Sequence, residues 1–124
     1  MKLMQKLFLA FGLFVSCATC AQAHAFLDHA DPKVGSTLNA SPSVVKIWFT
    51  EGLDAPSCNL QVFDASGKEI DRKDVKIDPA QKILMSVSVP KLATGTYKVV
   101  WNAGCACGCN HHTNGTFTFS VAGP

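Results

Sequence analysis

Much of the usual catalytic vocabulary is missing from these 124 residues. No Ser-His-Asp arrangement, glycine-rich phosphate loop or carboxylate pair of defined spacing can be picked out, so hydrolytic and nucleotide-dependent chemistry has no motif to rest on. Beyond residue 23 no CxxC spacing occurs, which removes thioredoxin-like redox chemistry from the exported part. Charge of one sign is scarce as well. The 11 Lys and Arg fall to nine once Lys2 and Lys6 are set aside with the leading segment, and 9 Asp and Glu balance them. With no basic run, neither nucleic acid nor an anionic membrane surface is an expected partner. No helical period is recognisable, and beyond residue 23 no apolar run is long enough to cross a bilayer.

What is present begins with an export signal. Lys2 and Lys6 form a positive n-region, "LFLAFGLFV" a short apolar h-region, and "AQA" (21–23) a small-x-small cleavage site, the pattern of a secretory signal peptide. Cleavage after Ala23 divides the chain into a signal, 1–23, and a single domain, 24–124, of about 100 residues, enough for one core. Such a domain is expected to be exported to a bacterial periplasm and to be soluble there. A lipoprotein signal acylated at Cys17 or Cys20 is the competing reading, but neither "FVSC" nor "CATC" has the leucine such sites favour.

After "HAFLDHADP" the chain alternates in short runs separated by turn signals. "SVVKIWFT" (43–50) puts Val45, Ile47 and Phe49 on one face, and "KILMSVSV" (82–89) alternates until Pro90 stops it. "GTYKVVWNA" aligns Tyr97, Val99 and Trp101; "GTFTFSV" aligns Phe117, Phe119 and Val121. "CNLQVFD" leads into "ASGKE", a Gly-centred turn suited to a hairpin, and "KVGSTL" (33–38) looks like a turn into the next strand. Pro32, Pro42, Pro56, Pro79 and Pro90 fall between the runs, where a missing amide donor costs little. Six or seven short strands without helices predict an antiparallel β-sandwich or small barrel.

The chemistry lies at two distant places. Cleavage after Ala23 leaves His24 with a free α-amine, and amine and imidazole together close a chelate ring on one ion. The amine has an ordinary pKa near 8, so a strongly binding metal displaces its proton at neutral pH. Two nitrogens from one residue plus a second imidazole make the tetragonal field that Cu(II) favours. The second place is "AGCACGCNHHTNG" (103–115). Cys105, Cys107, Cys109 and His111 share one parity, so an extended chain turns all four to one side. Soft thiolates suit Cu(I) or Zn(II), yet one-residue gaps are tighter than those of zinc knuckles. Oxidation is the alternative, because exported cysteines ordinarily pair. Cys-x-Cys neighbours bridge poorly, whereas Cys58 could join one of the trio; inert cysteines are the third possibility. His29 falls on the opposite face from His24 and reads as surface or packing, and His112 should face away from His111. Asp28 and Asp31 lie near enough to reach a metal at His24, but turn and capping roles are commoner.

The segments "HAFLDHADPKVGSTL", "VVKIWFTEGL", "VFDASGKEI", "LATGTYKVVW" and "GTFTFSV" resemble, in order and at suitable spacing, the CopC/YobA family of periplasmic copper-resistance proteins. The resemblance covers nearly all of 24–124. It implies an immunoglobulin-like β-sandwich that carries Cu(II), often beside an inner-membrane copper importer of the CopD type. The family's Cu(II) site uses the mature N-terminal histidine, with its amine, and an Asp-x-His pair after the "Y-K-V-x-W" strand. His24 takes the first role. Counting back four residues from Gly115, as the family's "H-x-x-x-G" directs, makes His111 the second, and the Asp position then falls on Cys109. The usual "D-G-H" or "D-T-H" has become "CNH", in a loop one residue longer than usual. The family's methionine-rich Cu(I) motif has no counterpart, and Met85 reads as core.

The expected ligands are therefore His24, His111 and Cys109, with Cys107, Cys105 and His112 as further candidates. The expected cargo is Cu(II), with Cu(I) an option at the cysteines. A non-enzymatic copper carrier or buffer leads. Its rivals are a histidine-brace oxidase like the lytic polysaccharide monooxygenases and an interaction module that has lost its copper site. The oxidase generally needs more chain and a set of exposed aromatics. The interaction module predicts indifference to His24→Ala.

Overall fold

Alternation decides the strands. In the computed structural model, which describes residues 24–106 and 111–123, Val45, Ile47 and Phe49 are at most 1% exposed while their neighbours are half-buried. The elements, in order, are β1 (Leu27–Asp31), β2 (Thr37–Leu38), β3 (Val44–Phe49), a 3₁₀ turn (Ala55–Ser57), β4 (Asn59–Phe63), β5 (Lys76–Ile77), β6 (Leu84–Ser88), β7 (Gly95–Gly104) and β8 (His112–Val121). They form two four-stranded sheets, ordered β1-β3-β6-β5 and β2-β8-β7-β4. The architecture is an immunoglobulin-like β-sandwich.

Between the sheets lie the side chains that alternation assigned inward: Val45, Ile47 and Phe49 from one sheet, Tyr97, Val99, Trp101, Phe117, Phe119 and Val121 from the other. Leu60 and Val62 of β4 and Met85 and Val87 of β6 fill the gaps, each at most 1% exposed. Each large apolar side chain so buried contributes about 1.5–3 kcal/mol. Tyr97 keeps its ring in this core, and its hydroxyl donates to the Ala93 carbonyl at 2.6 Å, which removes the cost of a buried unpaired hydroxyl.

Two features depart from the simple antiparallel reading. The two-residue β2 runs parallel to β8, pairing Thr37 with Ser120 and Leu38 with Val121. The turn after β4 closes only a minimal hairpin: one antiparallel bridge, Phe63 with Glu69, flanked by backbone bonds from Asp64 N to Lys68 O at 2.9 Å and from Ile70 N to Val62 O at 2.8 Å. Carboxylates take the neighbouring amides. Asp64 Oδ1 accepts from the Ser66 and Lys68 amides at 2.9 and 3.0 Å, and Asp71 Oδ2 accepts from the Val62 amide at 2.9 Å. Such side-chain acceptors compete with strand pairing, and here they also cover an edge strand. Gly67, at φ +87°, completes the turn.

For function, the important pair is β7 and β8. Their register runs unbroken from Gly95↔Val121 to Gly104↔His112, so His111 emerges where this ribbon ends.

Candidate metal centre

His24 is held through the two residues that follow it. The Thr50 hydroxyl, at the end of β3, accepts from the Phe26 amide at 3.0 Å and donates to the His24 carbonyl at 3.4 Å. The Thr50 amide donates to the Phe26 carbonyl at 2.8 Å. Between these contacts the Ala25 side chain is buried at 1% exposure, and its carbonyl accepts from the Thr113 hydroxyl of β8. Residues 24–26 thus bridge the end of one sheet to the end of the other. The bridge sets the imidazole of His24 beside that of His111, ring centroids 4.7 Å apart and planes at 45°. The Phe26 ring lies 6.1 Å from that of His24.

Next to His111 opens a cleft of about 470 Å³ lined by Asp54, Ser57, Gly104, Cys105, Ala106, His111 and His112. The segment 52–58 is tied to the end of β7: Asp54 N donates to Gly104 O at 2.8 Å, Ala106 N to Gly52 O at 2.9 Å, and Leu53 bridges Cys105. Gly104 permits this approach, since a Cβ there would lie 2.3 Å from the Ser57 Cβ. The same hypothetical atom would be 3.4 Å from His112 Nδ1. His112 therefore does not turn away from this end of the molecule. It lines the cleft beside Gly104, its partner in β7.

Cys58 is a free thiol, not half of the disulfide that is one of its expected fates. It donates to the Asp54 carbonyl at 3.2 Å and approaches that of Gly104 at 3.9 Å. Partial burial pushes its pKa up, and the Asp54 carboxylate pushes the same way against the lowering by these carbonyl contacts. Cys105 is half-buried in the cleft wall. Cys107 and Cys109 lie outside the described residues. Among the described residues no group of three or more His, Cys, Asp or Glu side chains converges as a metal cage; His24 and His111 are the pair brought together.

His29 has a different role. Its ring stacks on Trp48 at 4.5 Å and 9°, and its Nδ1 donates to Asp28 at 2.6 Å, all on the outer surface of the first sheet. Asp28 is thereby engaged with His29, and Asp31 sits opposite Lys46 in the β1–β3 register. Met85 is fully buried core. The residues that sequence reasoning missed are Thr50, Ala25 and Thr113. Nothing in the sequence sets them apart, because a threonine in a strand is unremarkable until the segment it reaches is known. Gly115 also gains a reason: a Cβ there would lie 2.6 Å from the Trp101 ring, which packs edge-on to Phe49 at 5.2 Å.

Comparison with known proteins agrees with this architecture. Residues 27–122 match the model of the CopC domain. Protein YobA of Escherichia coli K12 is 30% identical over 100 residues, 80% of this chain and 79% of that protein. The crystal structure of CopC from Methylosinus trichosporium OB3b superposes with a TM-score of 0.74 at 26% identity, covering 81% of this chain and 95% of that one. That of PcoC, described as a methionine-rich copper resistance protein from Escherichia coli, gives 0.67 at 25% identity over 80% and 99% of the two chains. A family match over most of the chain, a 30%-identical relative and two solved folds almost wholly covered by it converge: the chain belongs to the CopC family.

Proposed function

We propose that this protein is a periplasmic copper carrier or buffer that binds Cu(II) through His24 and His111 after signal cleavage at Ala23. The observation that carries the reading is the 4.7 Å approach of the two imidazoles. With a metal–nitrogen bond of ~2.0 Å, a ring centroid stands ~3.1 Å from the ion, so two rings at a right angle lie ~4.4 Å apart and two in line ~6.2 Å apart. The observed spacing lies within that range, near the value for adjacent corners of a square. The α-amine of His24 occupies a third corner. Copper(II) is the divalent ion that gains most from such nitrogen donors, and PcoC is itself called a copper resistance protein.

Cys109 stands where the family's carboxylate is expected. A thiolate there makes the site sensitive to oxidation state. Two thiolates that transfer one electron each to two Cu(II) ions leave one disulfide and two Cu(I) ions. Reduced protein is thus expected to hold Cu(I) through Cys105, Cys107 and Cys109, and oxidised protein to hold Cu(II) through the histidines. Delivery to an inner-membrane protein of the CopD type completes the proposal.

Mass spectrometry of the exported protein tests it directly. The expected result is a chain beginning at His24 with one copper ion bound. A mature chain that starts elsewhere, or one with His24→Ala that binds Cu(II) as wild type, overturns it.

A further inference from the structure

A chain terminus is ordinarily the least ordered part of a domain, yet the proposed site depends on the first residue of the mature chain. We propose that Thr113 and Thr50 are positioning residues that assemble the copper site before the metal arrives. The inference rests on the carrier reading and extends it to the residues that build the site.

Ala25 places a backbone carbonyl at the buried junction of the two sheets, and the Thr113 hydroxyl is its donor. Thr113 is not required to offer it. Its backbone is already matched with Ala103 in the β7–β8 register, so the side chain is available to reach the N-terminal segment. Valine, of the same shape, would leave the carbonyl without its partner in a place where water does not replace it. Thr50 closes the other side. One hydroxyl accepts from Phe26 N and donates to His24 O, and these two bonds span Ala25, the residue next to the one whose imidazole meets His111. With a bond on each side of Ala25, the direction in which His24 leaves the sandwich is set by the fold and not by copper. A ligand held in its bound position loses less freedom on binding, and affinity rises accordingly. Partners beyond the ligands themselves commonly change metal affinity by about 10–100-fold.

The experiment uses the signal-cleaved protein with Cu(II) as the probe, affinity being measured by competition with a chelator. Thr113→Val should weaken Cu(II) binding about tenfold with one-to-one stoichiometry kept, and Thr113→Ser, which restores the hydroxyl, should bind within about twofold of wild type. A metal-free measurement accompanies it: hydrogen exchange at the Phe26 amide should be slow in the wild type and accelerated in Thr50→Val. His24→Ala is the reference arm. If it loses Cu(II) while folded Thr113→Val binds as wild type, the positioning role is refuted and the carrier reading stands. If His24→Ala itself binds normally, both fall. Should Thr113→Val fail to fold, unchanged Phe26 exchange in Thr50→Val, or weak binding by Thr113→Ser, overturns the proposal without it.

Discussion

Gly115 lies within β8 opposite Trp101 of β7, in ordinary extended backbone. Replacing a glycine by alanine in such a strand normally stabilises a protein by roughly 0.5–1 kcal/mol, because the unfolded chain has less freedom to lose. Here the sign should reverse. The new methyl would lie 2.6 Å from Trp101 Cζ2, 2.8 Å from Cε2 and 3.0 Å from Nε1, and the indole has nowhere to go: it is 6% exposed and braced by Phe49. Overpacking of this kind costs about 1–3 kcal/mol. Set against the usual gain, Gly115→Ala should be destabilised by about 1–2 kcal/mol, a fall in Tm of roughly 10 °C for a domain of this size. Thermal unfolding followed by tryptophan fluorescence and near-UV circular dichroism measures both the loss and the displaced ring. Gly67→Ala is the control. It has no atom within 4 Å of the new Cβ but a φ of +87°, so it should cost about 1–2 kcal/mol through backbone strain alone and leave the tryptophan spectra unchanged. A Gly115→Ala protein as stable as wild type, with an undisturbed Trp101 signal, would refute the packing argument.

Adding one methionine before His24 should damage Cu(II) binding as severely as His24→Ala, beyond the ~100-fold ceiling of outer-shell effects; chelator competition reads both, and a normal Kd in the extended protein would remove the amine from the site. Copper should also staple the sheets, since His24 leads into β1 of one and His111 into β8 of the other. Free Cu(II) at 100 times Kd should therefore raise the unfolding free energy by about 2.7 kcal/mol, and His111→Ala should abolish the increase in calorimetry. Cys58 supplies a pH dependence. Burial raises its pKa above the ordinary 9.0, so the unfolded chain loses this proton first. The thiol's contribution to stability is intact below about pH 9 and fades as pH rises through the higher folded value. Cys58→Ala should flatten the alkaline limb of a urea-denaturation series, and an unchanged limb would count against the burial argument.

Strand faces were legible because alternation is a local property. Val45, Ile47, Phe49, Tyr97, Val99, Trp101, Phe117, Phe119 and Val121 are spaced by two in the sequence, and all are buried. Met85, assigned to the core as a methionine in an apolar strand, is fully buried. His24 and His111 could be nominated from residue type and family pattern, but their approach could not be derived from spacing. The shortness of the hairpin after β4 shows the limit at short range: one bridge forms, but Asp64 and Asp71 satisfy amides that a longer returning strand would have taken, and a sequence does not announce which acceptor wins. The parallel β2–β8 pair shows it at long range. Alternation was enough for an all-β domain and for the side chains that fill it, the family pattern added the sandwich, and residue types showed which chemistry is on offer. Where that chemistry meets is a matter of folding, because Thr50 and Thr113 act on a segment distant in the chain, and contacts of that kind exist only after the two sheets have closed on their common core.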